Sequence, residues 1–351
     1  MTGASQSRSG SITRGSMDVS GRVRVPSMST ASGGTMPEGR PPQVSSPVAA
    51  YCHPMTVSQA VGDVHAVDPA LLGTPGALTL YVVDAPEPAV VDTGSANSPP
   101  EIYDALDRLG IDRTDVAHVL VSHVHLDHAG GAGHLAEELP NATFYVHEDG
   151  LAYLTDAAAL SRLKRSVDRA MGVEDAYGHP KLVPEGRCSV VTGGERVDLG
   201  DRELELLDAP GHAPHHYAAY DPATEGLFSI DAAGMHLAGE MRPTTPPPGF
   251  DLEANVETVR RLRALEPAVN FYGHVGPGGE DAVGELDRYE AMLPEWVERV
   301  DGLRAEFGQD VEAIVDALDP GWHSPTVQRD VAGVLDYLSD DEGESEPRGR
   351  A

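Results

Sequence analysis

Four residues able to bind a metal crowd into six positions: His123, His125, Asp127 and His128, in the string His-Val-His-Leu-Asp-His. The run before them, VAHVLVS at 116–122, reads as a strand too continuously apolar for a sheet edge. In extended backbone alternate residues project to one side, so His123 and His125 can reach one ion. Asp127 and His128 follow as the chain turns towards Gly130, Gly131 and Gly133. Imidazole and carboxylate suit zinc and other borderline divalent ions. Cys52 and Cys188 stand alone, without the paired spacing of a disulfide framework or a thiolate knuckle. Two imidazoles and one further ligand leave a coordination position for water, as catalytic zinc requires, so more ligands are expected downstream.

The segments around this string alternate between strand and helix. LTLYVVD (78–84) and AVVDTG (89–94) read as a hairpin around a proline turn, followed by a helix at about 99–109. HLAEELP reads as a short helix and TFYVH (143–147) as a strand. Residues 151–186 are expected to be mainly helical, interrupted by Gly and Pro. Strand patterns return at 188–192, 195–199, 203–210 and 226–231; a helix follows at about 251–265, and VNFYGH (269–274) is the last strand. The class is therefore α/β. From about 280 to 338, Leu286, Met292, Leu293, Val297, Val300 and Leu303 recur at helical spacing. Domain expectations follow: a disordered segment at 1–55, a catalytic domain at 56–279, a helical extension at 280–338, and an acidic disordered tail at 339–351. Met55 directly precedes the first patterned segment and is read as an alternative start.

Composition narrows the class of partner. The 351 residues carry a net charge of −31, and only two of the 25 basic residues are lysines, Lys164 and Lys181. Such a surface resembles proteins of salt-loving archaea, where concentrated salt screens long-range fields. It also disfavours nucleic acid, since phosphate is repelled. No stretch approaches the roughly 20 apolar residues of a membrane span. The N-terminus carries no charged start before an apolar run, so a cytoplasmic location is expected.

The string at 123–128 resembles the defining motif of the metallo-β-lactamase superfamily, and four further landmarks occur in order: VDTG at 91–94, GH at 211–212, Asp231 closing LFSID, and GH at 273–274. The likeness spans about residues 57–275 and implies a four-layer αββα sandwich with metals at one edge of two sheets. It implies that His123, His125 and His212 hold one metal, that Asp127, His128 and His274 hold a second, and that Asp231 bridges them. Zinc is expected, with iron or manganese as alternatives. Asp92 is placed behind a ligand to orient its imidazole, or else caps the turn before the next helix. By the same resemblance, His128 points away from true β-lactamases and towards the glyoxalase II-like, lactonase-like and RNA-processing branches with two metals.

The implied reaction is attack by a metal-bridged hydroxide on a small ester, thioester or lactone carbonyl, with Asp127 or Asp231 assisting the proton. His215, His216 and Tyr217 lie just after His212 and are candidates to touch substrate or orient a ligand. The proline-rich loop at 242–249 is expected to shape the pocket, and the insert at 151–186 to overlie the site. Lys164, Lys181, Arg162, Arg165 and Arg169 in that insert read as a solvated helix face sooner than as a patch steering an anion. The C-terminal helices either cover the site or form a homodimer. Two other activities share the motif. RNA-processing nucleases bring an RNA-binding addition not evident here. Persulfide dioxygenase-like and flavodiiron-like redox enzymes hold iron, the latter with a Glu where His125 stands and a flavin domain.

Overall fold

The protein is described by a computed structural model covering residues 57–344 apart from 238 and 280. The expectations for 1–55, including the Met55 start, and for the last seven residues lie outside the described residues.

Seven strands, β1 (Val57–Val61), β2 (Val64–Val67), β3 (Leu80–Val83), β4 (Ala89–Val91), β5 (His118–Val121), β6 (Thr143–His147) and β7 (Cys188–Val191), make one sheet in that spatial order. Pairing is antiparallel from β1 to β4 and parallel from β4 to β7. Between its strands lie α1 (Pro99–Leu109), α2 (Leu126–Ala129), α3 (Ala132–Glu138), α4 (Leu151–Thr155) and α5 (Ala157–Met171). A second sheet takes β8 (Arg196–Asp198), β9 (Glu203–Asp208), β10 (Tyr217–Asp221), β11 (Gly226–Ile230) and β14 (Val269–Tyr272), in the order β14-β11-β10-β9-β8. A small ribbon, β12 (Met235–Leu237) with β13 (Glu240–Arg242), and α6 (Leu252–Arg263) fill the link from β11 to β14. Three helices follow: α7 (Ala282–Phe307), α8 (Val311–Ala317) and α9 (Val327–Glu344).

Side-chain alternation explains why two sheets stack with helices outside. In β3, Leu80 and Val82 belong to the cluster under α1, whereas Tyr81 and Val83 face the second sheet. In β10 and β11, Ala218 and Leu227 pack towards α6 and α7, while Ala219 and Phe228 join the cluster between the sheets. Three apolar layers thus separate four layers of structure, the expected αββα sandwich. β5 is central and buried on both faces, as its unbroken apolar run predicted. No helix among the described residues is long and apolar enough to cross a membrane.

Several elements differ from expectation. β1, β2 and β10 were not read from the sequence, because Gly, His and Asp interrupt the first two and β10 begins directly after a histidine pair. The insert is helical only to Met171; Gly172, at φ 66°, ends α5, and residues 172–184 run without regular structure. At the other end, α9 continues to Glu344, six residues into the segment expected as a tail, since propagating a formed helix is cheaper than starting one.

The C-terminal helices are part of the main core. Trp296 of α7 is fully buried and donates Nε1 to Thr245 Oγ1 at 3.0 Å, while Asp330 of α9 accepts from Thr245 N at 2.8 Å. Gly333 permits this contact: a Cβ there would lie 1.9 Å from the Thr245 carbonyl oxygen. In an isolated helix Gly→Ala stabilises by about 1 kcal/mol. Here Gly333→Ala is expected to destabilise instead, read as a lower denaturant midpoint in equilibrium unfolding; a raised midpoint would show that α9 does not depend on the close approach.

Candidate metal centre

The imidazoles and carboxylates gather where strands end. β5 delivers Ser122 to His125 in extended backbone, and Asp127 and His128 then sit in the single turn of α2. His212 follows β9, Asp231 follows β11, and His274 follows β14. Loops can converge there while the sheets hold their roots fixed. Three residues beside the site hold positive φ, Asp92 at 60°, Ile230 at 50° and Val275 at 72°. For the β-branched Ile and Val this conformation costs on the order of 1–3 kcal/mol each, maintained by the surrounding packing.

Two groups of three ligand atoms result, each with atoms within 4.8 Å of one another: His123, His125 and His212, and Asp127, His128 and His274. A third group, His123, His128 and Asp231, links them. Asp231 Oδ2 lies 3.5 Å from His128 Nε2, 3.7 Å from His212 Nε2 and 3.4 Å from His274 Nε2. All of these side chains are buried except His125, which is partly exposed and marks the open side. Gly273 lies against the cluster so closely that a Cβ would meet Asp231 Oδ1 at 2.6 Å and His128 Cε1 at 2.7 Å.

Four of the five imidazoles are aimed by their other nitrogen. His128 Nδ1 donates to Asp92 Oδ2 at 2.8 Å, His212 Nδ1 to the Thr244 carbonyl at 2.9 Å, and His274 Nδ1 to the Ala77 carbonyl at 2.7 Å. Ser122 Oγ donates to Asp92 Oδ2 and so accepts from His123 Nδ1 at 3.0 Å. These acceptors hold a proton on Nδ1 and turn Nε2 inward as the atom able to meet a metal. The result is nitrogen facing nitrogen: His212 Nε2 is 3.1 Å from His125 Nδ1, and His128 Nε2 is 3.4 Å from His274 Nε2. His123 Nε2 and Asp231 Oδ1 are buried with no partner among the described residues. Buried polar atoms are ordinarily satisfied, so an inward ring of lone pairs and carboxylate oxygens fits divalent cations.

Charge follows the same geometry. Burial and the neighbouring imidazoles push His123 and His125 well below the ordinary histidine pKa, and burial lowers His212. Burial also opposes charge on His128 and His274, but Asp231 outweighs it and raises both. Asp127 is held at about 2: burial works to raise it, and His128 and Arg329 more than reverse that. The half of the cluster that contains Asp127 and Asp231 thus attracts positive charge, and the half made of imidazoles offers neutral donors.

The remaining candidates separate. Asp92 does not cap the following helix; it accepts from Ser122 N at 2.9 Å, from Ser122 Oγ and from His128, steering two imidazoles at once. His215 is partly exposed at the rim, with its ring 5.7 Å from that of His125 and 6.1 Å from that of Tyr153. Burial lowers its pKa to about 4, so it is neutral. His216 is wholly buried and stacks on His123 at 4.9 Å, out of reach of a substrate. Tyr217 is corrected: β10 turns it into the apolar layer between the sheets, where its hydroxyl donates to the Tyr145 carbonyl.

The proline-rich loop does more than shape a pocket, since Thr244 holds His212 through its carbonyl and donates Oγ1 to the Asp231 carbonyl at 2.7 Å. Both lysines of the insert are engaged, Lys164 with Asp168 and Asp175, and Lys181 with Glu137, so they form no free cationic patch. Sequence reading missed Ser122, Ala77, Thr244, Tyr153, Tyr177 and Arg329. Only Ser122, adjoining His123, carried a signal; the carbonyls depend on backbone position alone, and Arg329 arrives on α9 from far beyond His274.

A family model described as the metallo-beta-lactamase superfamily matches residues 73–274. The chain is 30% identical over 217 residues to a metallo-beta-lactamase fold-containing protein, ST1585, of Sulfurisphaera tokodaii, covering 60% of this chain and 78% of that one. The crystal structure of ST1585 superposes with a TM-score of 0.56 at 26% identity, over 66% of this chain and 86% of that chain. An N-acyl homoserine lactonase of Bacillus thuringiensis is 26% identical over 179 residues, or 49% of this chain and 61% of the lactonase.

Replacing Asp92 by Ala removes the acceptor behind His128 and the anchor of Ser122. Competition with a chromogenic chelator is expected to show metal affinity about 10–100-fold weaker; an unchanged affinity would mean that packing alone orients the imidazoles.

Proposed function

This chain belongs to the metallo-β-lactamase superfamily, and on that basis we propose that it is a dinuclear metal-dependent hydrolase of a small ester, thioester or lactone. The observation that carries the reading is the inward cluster of nitrogens and carboxylate oxygens around Asp231, with four of the five imidazoles pinned from behind. His123, His125 and His212 would hold one ion, Asp127, His128 and His274 the other, with Asp231 shared. Five imidazoles and two carboxylates without thiolate suit zinc, and equally allow iron or manganese. Two such ions supply Lewis acidity that polarises a carbonyl and brings the pKa of water towards neutrality.

The chain's own groups do the rest. Asp127 is anionic at neutral pH and can accept a proton from the attacking water. Asp231 Oδ1, buried and without a hydrogen-bond partner among the described residues, offers a second acceptor. Partial exposure of His125 and His215 gives a substrate its way in, and Tyr153 of α4 supplies an uncharged wall beside them. The insert thus reaches the site edge through α4. The likeness to a protein named a lactonase supports a carbonyl substrate. A small-molecule substrate, the glyoxalase II-like or lactonase-like branch, a cytoplasmic location and a role for the C-terminal helices as an extension of a catalytic domain at 56–279 belong to this same proposal.

Turnover of a panel of esters, thioesters, lactones and phosphodiesters in concentrated salt tests the reaction; hydrolysis of phosphodiesters alone would overturn it. Asp231→Ala is expected to reduce metal content to one ion or fewer per chain by elemental analysis, and two ions retained would refute the shared ligand.

A further inference from the structure

Arg329 of α9 ends beside the cluster, with Nη1 3.6 Å from Asp127 Oδ2 and donating to the Tyr177 hydroxyl at 3.3 Å. That is the only hydrogen bond its guanidinium makes to the described residues, so Nε and Nη2 remain open donors. Its side chain is 31% exposed. Tyr177 accepts from Arg329, which leaves its own hydroxyl hydrogen free to donate. Asp127 meets Arg329 through Nη1, so the ion pair with that carboxylate leaves the other guanidinium nitrogens available to a second anion. A second cation so near a metal ligand opposes metal binding by like-charge repulsion. The open Nε and Nη2, partly exposed beside the cluster, suit a negative partner.

We propose that Arg329 and Tyr177 form a carboxylate-binding subsite, so that the substrate is an ester, thioester or lactone with a free carboxylate near the scissile carbonyl. The subsite rests on the hydrolase reading for the rest of the molecule it binds. A guanidinium's Nε and Nη2 form a planar fork that matches the two oxygens of a carboxylate, and Tyr177 adds a third donor. Tyr153 and His215, whose rings lie 6.1 Å apart beside His125, offer an aromatic surface for the rest of the molecule. In a chain of net charge −31 the long-range field does not attract an anion, so recognition has to be local. With both insert lysines paired to acids, Arg329 supplies that local charge.

The test compares mono-4-nitrophenyl glutarate, with a free carboxylate, and its methyl ester, in the wild-type protein, Arg329→Met and Arg329→Lys, alongside calorimetric binding of glutarate and metal content. Wild type is expected to prefer the free acid. Arg329→Met should lower kcat/KM for the free acid at least tenfold more than for the methyl ester, beyond any loss the two esters share through Asp127, retain metal and weaken glutarate binding at least tenfold; Arg329→Lys should recover part of the free-acid preference and of glutarate binding. Equal loss on the two esters with reduced metal content would overturn the subsite and make Arg329 a positioning residue for Asp127. Absence of both the preference and glutarate binding in wild type would overturn it too. If neither ester is hydrolysed but glutarate binds and the binding requires Arg329, the subsite stands and the hydrolase reading falls.

Discussion

A carboxylate buried to 3% exposure lies within 3.7 Å of three imidazole nitrogens that arrive on three separate loops. Burying an anion costs several kcal/mol unless opposite charge and hydrogen bonds meet it in place. Asp231 can therefore be tolerated only if His128, His212 and His274 are all correctly delivered, and they in turn depend on β5, β9 and β14 ending at the same edge of the two sheets. The fold and the cluster constrain each other through this one group.

Delivery requires a second ring of acceptors. Asp92, Thr244 and Ala77 each take an imidazole proton, and Ser122 relays Asp92 to His123. Asp92 and Ser122 aim imidazoles of their own half of the chain and Thr244 does the same in the second half, whereas Ala77 holds His274 from the other half, so that imidazole is aimed only when the two halves come together. Positive φ at Ile230 and Val275, immediately beside Asp231 and His274, is the local expense of turning these side chains inward. The layers of apolar side chains on either sheet hold that strain in place.

Much of this was legible in the sequence, for physical reasons. The unbroken apolar run before His123 placed β5 at the centre of a sheet, and metal-binding residue types are sparse enough that their spacing is informative. Alternation of strand and helix patterns gave the α/β class, and the αββα sandwich was what the resemblance carried by the ordered motifs implied. What escaped was whatever depends on backbone or on distant packing. Carbonyl acceptors at Ala77 and Thr244 have no residue-type signal. Tyr217 looked like a neighbour of the site because it adjoins His216, yet strand alternation turns it into the layer between the sheets. Arg329 lies on an amphipathic helix whose periodicity reports only that one face is buried.

The matched family span stops at residue 274, whereas α9 begins at Val327. On that helix two adjacent residues face different tasks: Arg329 reaches Asp127 and Tyr177, and Asp330 grips the backbone of Thr245, next to the residue that holds His212 and Asp231. Mutations in this peripheral helix would consequently be pleiotropic. A substitution that shifts α9 would therefore reach the cluster by two routes at once, through the charge beside Asp127 and through the backbone that holds His212.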